Sequence, residues 1–282
     1  MLTNAQFDQT RRLALRLAGI ELLERHRELL GRRSQRLGVR GGAGLDQLLG
    51  AAEEGEAEAT RRVISLLTTN FTGFFRHPAH FEVAAAHALR AALRRGAARL
   101  WSAAAATGEE PYSLAMGLME VFRREDPPAT VLATDIDVEA LAVAERGEYG
   151  ARALRAVEPE RSARFFSETA VGRWGVAPAV RRLVEFQGLN LAGVAWPVEG
   201  PFDVIFCRNV LMYLEAGHRY AVLERMASLL APEGWLILDP TEHLGRAGHL
   251  FTPGADGVYS RPGAASPRRA VTGMSGVLHR GG

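Results

Sequence analysis

Two adjacent carboxylates, Glu109 and Glu110, follow a short turn of small residues that ends at Gly108. The apolar run RLWSAAA at 99–105 precedes this turn and has the length and character of a buried strand. After Pro111, apolar residues recur at helical spacing, and proline is favoured in the first turn of a helix. A strand, a turn and a helix in this order open a doubly wound α/β domain, whose ligands bind at the carboxyl ends of the strands.

The charge of this turn indicates the kind of ligand. A turn that binds a phosphate has glycines and an uncovered helix N-terminus, because backbone N–H groups hold the anion. Two carboxylates there would repel a phosphate and attract a cation. S-adenosylmethionine (SAM) carries a sulfonium and an ammonium but no phosphate, so it fits better than NAD or ATP. The alternative is that the carboxylates only complement the helix dipole.

A second β-rich run, TVLATDID at 130–137, ends in two further carboxylates, Asp135 and Asp137. In Rossmann-type domains an acid at the end of the second strand binds the ribose hydroxyls. We assign that role to Asp135 and expect Asp137 to cap the helix that follows.

Later strands also end in polar residues. The run at 182–191 leads to Asn190, and Arg208 and Asn209 interrupt the apolar run at 201–214 where a fourth strand would reach the ligand crevice. Tyr213 lies one helical turn beyond Asn209. These side chains are therefore expected at the same end of the sheet as Asp135.

The segment TTNFTGFFRHPAHFEV at 68–83 places Asn70, Thr72 and Arg76 among phenylalanines. An arginine in such surroundings needs a partner or a ligand for its charge. Asparagine is otherwise scarce, and three of the four asparagines lie in the candidate segments just described. A helix is expected to begin at Pro78 and to run to about residue 93.

Composition limits the class of protein. The chain has 282 residues, of which 47% are hydrophobic and 23% charged, enough to bury a sizeable core. No apolar run has the roughly 20 residues of a membrane span, and the N-terminus lacks a signal-peptide pattern. A single cysteine, Cys207, excludes an internal disulfide and is typical of a reducing compartment. We expect a cytoplasmic protein without membrane insertion, and we assign no metal ligands.

We divide the chain into an N-terminal helical domain (1–66), a linker and helix (67–95), an α/β domain (96–262) and a disordered tail (263–282). The strand–helix alternation fails at about 147–182, which indicates an inserted subdomain, and ETAVGRWGVAP within it is interpreted as turns. The N-terminal domain carries a run of arginines that is either a solvated face or a docking site for an acidic protein or nucleic acid. These are Arg32, Arg33, Arg36 and Arg40.

Five segments together resemble the CheR family of chemotaxis receptor glutamate methyltransferases. They are TTNFTGFFR, LWSAAAATGEEPYSLAM, ATDIDVEALAVAERGEYG, VEFQGLNL and GPFDVIFCRNVLMYL, in the family's order over about residues 60–242. The resemblance implies a Rossmann-like, doubly wound SAM-dependent methyltransferase domain with a small N-terminal helical domain and a small inserted subdomain.

The resemblance also implies an activity and a site. The expected reaction moves the SAM methyl group to the side-chain carboxylate of a glutamate in a methyl-accepting chemoreceptor and leaves S-adenosylhomocysteine (SAH). Arg76 and Tyr213 are placed near the transferred methyl group. The implied SAM contacts are Asn70, Thr72, Arg76, Glu110, Asp135, Asn190, Leu191, Arg208 and Asn209.

The chain departs from the family in two places. Residues 239–242 read Asp-Pro-Thr-Glu where the family has a Gly-His-Ser-Glu-like segment, so only the acid is kept. The insertion lacks the glycine-rich loop that binds a receptor's C-terminal tail in some members. We therefore do not expect tail tethering, and a signalling protein other than a chemotaxis receptor stays open as the substrate.

Three alternatives remain. A SAM-dependent enzyme acting on RNA or a small molecule is compatible with a pI near 9.0. However, no Asn-Pro-Pro-Tyr motif follows the fourth strand, and no base-reading motif predicts a nucleic-acid partner. A non-catalytic SAM-binding signalling module would not need the full set of site residues. The acidic turn disfavours an NAD-dependent dehydrogenase.

Overall fold

The computed structural model describes residues 2–36 and 41–264. The N-terminal part is helical. Its helices are α1 (Asn4–Ala18), α2 (Arg27–Arg36), α3 (Gly41–Glu53) and α4 (Ala57–Leu67). Thr3 and Gln6 form a capping box at the start of α1, and the helices bury a common apolar core that includes Phe7, Leu49 and Val63.

The interpretation of the arginine run as one basic face is wrong for Arg33. Its guanidinium donates to the backbone carbonyls of Leu66 (3.3 Å) and Leu67 (3.0 Å), the last residues of α4. A cation at a helix C-terminus satisfies carbonyls that have no partner within the helix. The Arg32 guanidinium lies 3.5 Å from the Glu28 carboxylate. Arg40 and the side chain of Arg36 lie outside the described residues.

Residues 78–260 form an α/β unit with a small additional sheet. Its elements are α5 (Pro78–Arg95), β1 (Ala98–Ser102), α6 (Glu109–Phe122), β2 (Ala129–Asp135), α7 (Val138–Arg146), β3 (Glu148–Gly150), α8 (Ala151–Leu154), α9 (Pro159–Phe165), β4 (Phe166–Ala170), β5 (Arg173–Val176), α10 (Pro178–Arg181), β6 (Val184–Gly188), β7 (Phe202–Phe206), α11 (Ala216–Leu229), β8 (Leu230–Ile237), β9 (Thr252–Pro253) and β10 (Val258–Ser260).

The main sheet has the order β6-β2-β1-β7-β8-β10-β9. The first five strands are parallel, and β10 is antiparallel to both of its neighbours. Successive side chains enter cores on opposite faces, because Leu100 packs with α5 and α6 whereas Trp101 packs with α11. The predicted doubly wound α/β fold is confirmed, and its strand order reverses between β1 and β7, where ligands bind in such sheets.

Two local predictions were wrong. The segment at 168–178, interpreted as turns, contains most of the hairpin β4–β5, which with β3 makes an antiparallel three-stranded sheet. Phe166 anchors it against Phe74, with 5.1 Å between ring centroids. In addition, the pattern of RYAVLERMASLLAPEG at 219–234 predicts a helix over the whole segment, whereas α11 ends at Leu229 and β8 begins at the next residue, because Pro232 cannot continue a helix.

The buried His87 of α5 predicts a loss of stability in acid. Its ring stacks on Trp235 with 3.9 Å between centroids. Burial, with the nearby Arg90 and Arg94, lowers the His87 pKa from 6.5 to about 3. Between these values the unfolded chain binds the proton and the folded chain does not, so stability falls as pH decreases. Between pH 7 and pH 5 this difference in proton binding lowers the free energy of unfolding by about 2 kcal/mol.

Urea unfolding at the two pH values measures this contribution. We expect His87→Phe to reduce the difference in unfolding free energy between pH 7 and pH 5, whereas the exposed His249→Gln should leave it unchanged. An unchanged pH dependence in His87→Phe would show that other groups cause the acid sensitivity.

Candidate active site

A single cavity brings together all ten residues that the sequence predicted for the site. It opens at the carboxyl ends of β1 and β7, and the end of α1 together with the segment after it contributes Ala18 and Ile20 to its wall. The predicted residues that line it are Asn70, Thr72, Arg76, Glu110, Asp135, Asn190, Leu191, Arg208, Asn209 and Tyr213. Segments separated by up to about half the chain therefore meet at the position that the strand order indicates.

Asp135 ends β2 and faces this cavity. One carboxylate oxygen accepts from the backbone N–H of Ala106 (2.8 Å) and the other from that of Asp137 (2.9 Å). Burial raises the pKa of Asp135, although these hydrogen bonds oppose the shift. A carboxylate has about four acceptor sites, so an ionised Asp135 keeps capacity for two hydroxyl donors such as those of a ribose.

The two carboxylates of the α6 N-terminus have different surroundings. Glu109 is buried, accepts a hydrogen bond from the Thr107 hydroxyl (2.7 Å), and is not among the cavity-lining residues. Glu110 lines the cavity, and its two oxygens accept from the Ser102 hydroxyl (2.8 Å) and from the Arg208 guanidinium (3.1 Å). Burial raises the pKa of Glu110, with Arg208 opposing the shift. The sequence did not indicate this ion pair, which partly compensates the negative charge of the turn.

Gly108 enables the turn to pass close to its neighbours. Its φ is +96°, and a Cβ there would lie 2.7 Å from the Ala144 Cβ and 2.8 Å from the Tyr149 hydroxyl. Only glycine combines this backbone conformation with so little space.

Arg76 lies in an irregular linker between α4 and α5. The residues on both sides of it, Phe75 (φ +50°) and His77 (φ +63°), have left-handed backbone conformations. Its backbone carbonyl accepts a hydrogen bond from Arg208 (2.8 Å), which fixes the main chain, while the guanidinium carbon lies 6.0 Å from the centre of the Phe71 ring. The linker is thus held by its backbone and presents the Arg76 side chain at the cavity.

Glu242 holds the backbone of the segment at 209–211, and the sequence analysis assigned it no role. Its carboxylate accepts from the backbone N–H groups of Asn209 (2.8 Å), Val210 (3.0 Å) and Leu211 (2.9 Å). Asn209 has φ +59°, a conformation that asparagine tolerates better than most residues. The only signal in the sequence was the acid kept in the altered segment at 239–242.

We expect Glu242→Gln to lower kcat by about ten- to a hundredfold, because an amide would set a donor against these backbone N–H groups and misplace Tyr213. Steady-state methyl transfer measures the effect, with the exposed Glu224→Gln on α11 as the control. A kcat equal to that of the unchanged chain would show that the segment holds its shape without Glu242.

The segment that follows α1 contacts the wall of the cavity through its backbone. Glu21 N–H donates to the Tyr213 carbonyl (2.9 Å), and Glu215 N–H donates to the Gly19 carbonyl (2.9 Å). The Asn190 amide, assigned to SAM, donates to the carbonyl of Leu17 (2.7 Å). Asn190 therefore also joins the end of α1 to the α/β unit.

Comparison with known proteins decides the family. The family sequence model of the CheR methyltransferase SAM-binding domain matches residues 70–254, about two thirds of the chain. The chain belongs to the CheR methyltransferase family. It is a SAM-dependent methyltransferase, and the predicted cofactor, SAM, is confirmed.

Curated relatives agree with the family. The chain is 38% identical over 264 residues to chemotaxis protein methyltransferase 2 of Pseudomonas aeruginosa, covering 92% of this chain and 93% of that protein. It is 37% identical over 267 residues to the chemotaxis protein methyltransferase of Escherichia coli, covering 92% and 91%. A probable chemotaxis protein methyltransferase of Rhizobium etli is 42% identical over 204 residues, covering 69% and 76%.

None of the helices at 2–36 and 41–264 is long and apolar enough to cross a membrane. The same residues contain no group of three or more side chains that could hold a metal ion. The cytoplasmic location stays a prediction.

Proposed function

We propose that this CheR-family enzyme methylates the side-chain carboxylate of glutamate residues in a methyl-accepting chemoreceptor and forms a glutamyl methyl ester. The names of its relatives as chemotaxis protein methyltransferases support a substrate in chemotaxis signalling. The observation that carries the proposal is that Arg76 lines the same cavity as Glu110 and Asp135. One cavity thus offers carboxylates for a cationic cofactor and a guanidinium for an anionic acceptor.

The carboxylates and amides are assigned to the cofactor. We assign Asp135 to the ribose hydroxyls and Glu110 to the methionyl ammonium, since both carboxylates keep acceptor sites beyond their present hydrogen bonds. Asn190 and Leu191 are assigned to the adenine. The remaining proposed contacts are Asn70, Thr72, Arg208 and Asn209.

Arg76 and Tyr213 are assigned to the acceptor. Bound SAM supplies an electrophilic methyl group, and a glutamate carboxylate is already ionised at neutral pH, so no general base is needed. The planar guanidinium of Arg76 can donate two parallel hydrogen bonds to one carboxylate and orient it. Tyr213 can donate a further hydrogen bond. Catalysis then depends on positioning the carboxylate for in-line attack.

An RNA methyltransferase that uses a cysteine nucleophile is less compatible with this chain. Cys207 is fully buried, and burial raises the pKa of its thiol well above the usual range, so it is unsuited as a nucleophile towards RNA.

The absence of tail tethering stays a prediction. The β4–β5 hairpin, whose tip residue Val171 is exposed, is where the tail-binding loop would lie.

The stability of the product in base tests the proposal. We would incubate the enzyme with SAM labelled in the methyl group and the cytoplasmic fragment of a chemoreceptor, and then add alkali. A glutamyl ester releases the label as volatile methanol, whereas N-methyl products retain it. A fragment with its acceptor glutamates changed to alanine is the control. Label that resists alkali, or that also enters the control fragment, would contradict the proposal.

A further inference from the structure

Asp137 makes contacts that its predicted role as a helix cap does not require. It caps α7 as expected, accepting from the backbone N–H groups of Glu139 (3.1 Å) and Ala140 (3.3 Å). Its carboxylate also accepts three side-chain hydrogen bonds from a segment about 70 residues earlier. The donors are the Ser65 hydroxyl (2.9 Å), the Thr68 hydroxyl (2.7 Å) and the Asn70 amide (2.8 Å).

These three donors lie where the N-terminal helices pass into the linker. Ser65 is in the last turn of α4, Thr68 follows the end of that helix, and Asn70 lies in the linker. Thr68 and Asn70 line the cavity, whereas Asp137 is not among the lining residues and is only 1% exposed. Asp137 also donates its backbone N–H to Asp135. One residue outside the cavity thus connects two of its walls.

The contacts require a carboxylate. Serine, threonine, asparagine and aspartate all cap helices well, so capping alone does not explain aspartate. Only an ionised carboxylate can accept from several side chains and two backbone N–H groups together. Burial would raise the pKa of Asp137, but the hydrogen bonds from Asn70, Thr68 and Ser65 outweigh burial and lower it.

We infer that Asp137 is a positioning residue for cofactor binding: it holds residues 68–70 over the cavity so that Asn70 and Thr68 face the ligand. The inference rests on the proposed assignment of this cavity to SAM. It is independent of the identity of the methyl acceptor.

Asp137→Ser separates positioning from capping, because serine keeps the cap but cannot satisfy the other donors. We expect it to weaken SAH binding by about ten- to a hundredfold in isothermal titration of the full chain, since hydrogen bonds to a charged group are lost. The exposed Asp126→Ser is the matched control and should bind SAH like the unchanged chain.

A double-mutant cycle distinguishes positioning from a general loss of structure. In an Asn70→Ala/Thr68→Val background the groups that Asp137 positions are already absent, so adding Asp137→Ser should change SAH affinity by no more than about twofold. If Asp137→Ser does not fold, Ser65→Ala/Thr68→Val keeps the cap and should weaken binding in the same direction.

Unchanged SAH affinity in the folded Asp137→Ser variant, or an equal loss in both backgrounds, would overturn the inference. For the second variant, unchanged SAH affinity in Ser65→Ala/Thr68→Val would overturn it. If the unchanged chain bound no SAH, the assignment of the cavity to SAM would fail, and the role of Asp137 would fail with it. Failure of receptor methylation with normal SAH binding would contradict only the proposed function.

Discussion

Replacement of Asp135 by alanine is expected to abolish SAM binding. The change removes the carboxylate assigned to the ribose and also leaves the backbone N–H groups of Ala106 and Asp137 without their acceptor. Together these losses correspond to an affinity at least about a hundredfold lower. Isothermal titration with SAM or SAH measures the effect directly.

Asp126→Ala, an exposed change, should leave the affinity unaltered. Because Asp135 is buried, circular dichroism must first show that the variant is folded. A folded Asp135→Ala protein with the SAM affinity of the unchanged chain would remove Asp135 from the site and the ribose assignment with it.

Arg76→Ala is expected to retain part of the SAM affinity but to lose turnover by about a thousandfold or more, because the acceptor carboxylate loses its orienting cation. Arg208 contacts the backbone carbonyl of Arg76 and not its side chain, so alanine preserves that hydrogen bond and the path of the linker. The measurement pairs SAH titration with the rate of methyl transfer to the receptor fragment.

Arg76→Lys provides the matched comparison. Lysine keeps the charge but not the planar fork, so we expect an intermediate rate, closer to that of the alanine variant. If Arg76→Ala transferred methyl groups at the rate of the unchanged enzyme, Arg76 would not orient the acceptor, whatever its effect on SAM affinity.

The sequence was sufficient to predict the end of the sheet at which the site lies. Asp135, Asn190 and Arg208 each follow a strand pattern, and the carboxyl ends of parallel strands share one edge. The scarcity of asparagine was a further signal, since Asn70, Asn190 and Asn209 all line the cavity. A strand and the polar residue that follows it are defined by a few neighbouring positions, so the sequence alone is enough to identify them.

The contacts within the site could not be predicted in this way. The pairing of Glu110 with Arg208, the carboxylate of Glu242 beneath residues 209–211 and the amide of Asn190 on α1 join residues far apart in the chain. Arg33 illustrates the same limit, because an arginine run predicts charge but not which guanidinium meets a helix end. Tertiary packing decides such partners.

These long-range contacts give the N-terminal helices a part in the site itself. Ala18 and Ile20 line the cavity, and Glu21 binds the backbone of Tyr213. The division at residue 66 stays a prediction about domains. The site, however, uses residues from both sides of that division.

A crystal structure of the chain with SAH most directly tests the claim that this cavity places a cationic methyl donor opposite an anionic acceptor. We predict that the ribose hydroxyls contact Asp135, that the homocysteine ammonium contacts Glu110, and that the sulfur faces Arg76 and Tyr213. SAH bound elsewhere, or bound here with its sulfur turned away from Arg76, would contradict the account.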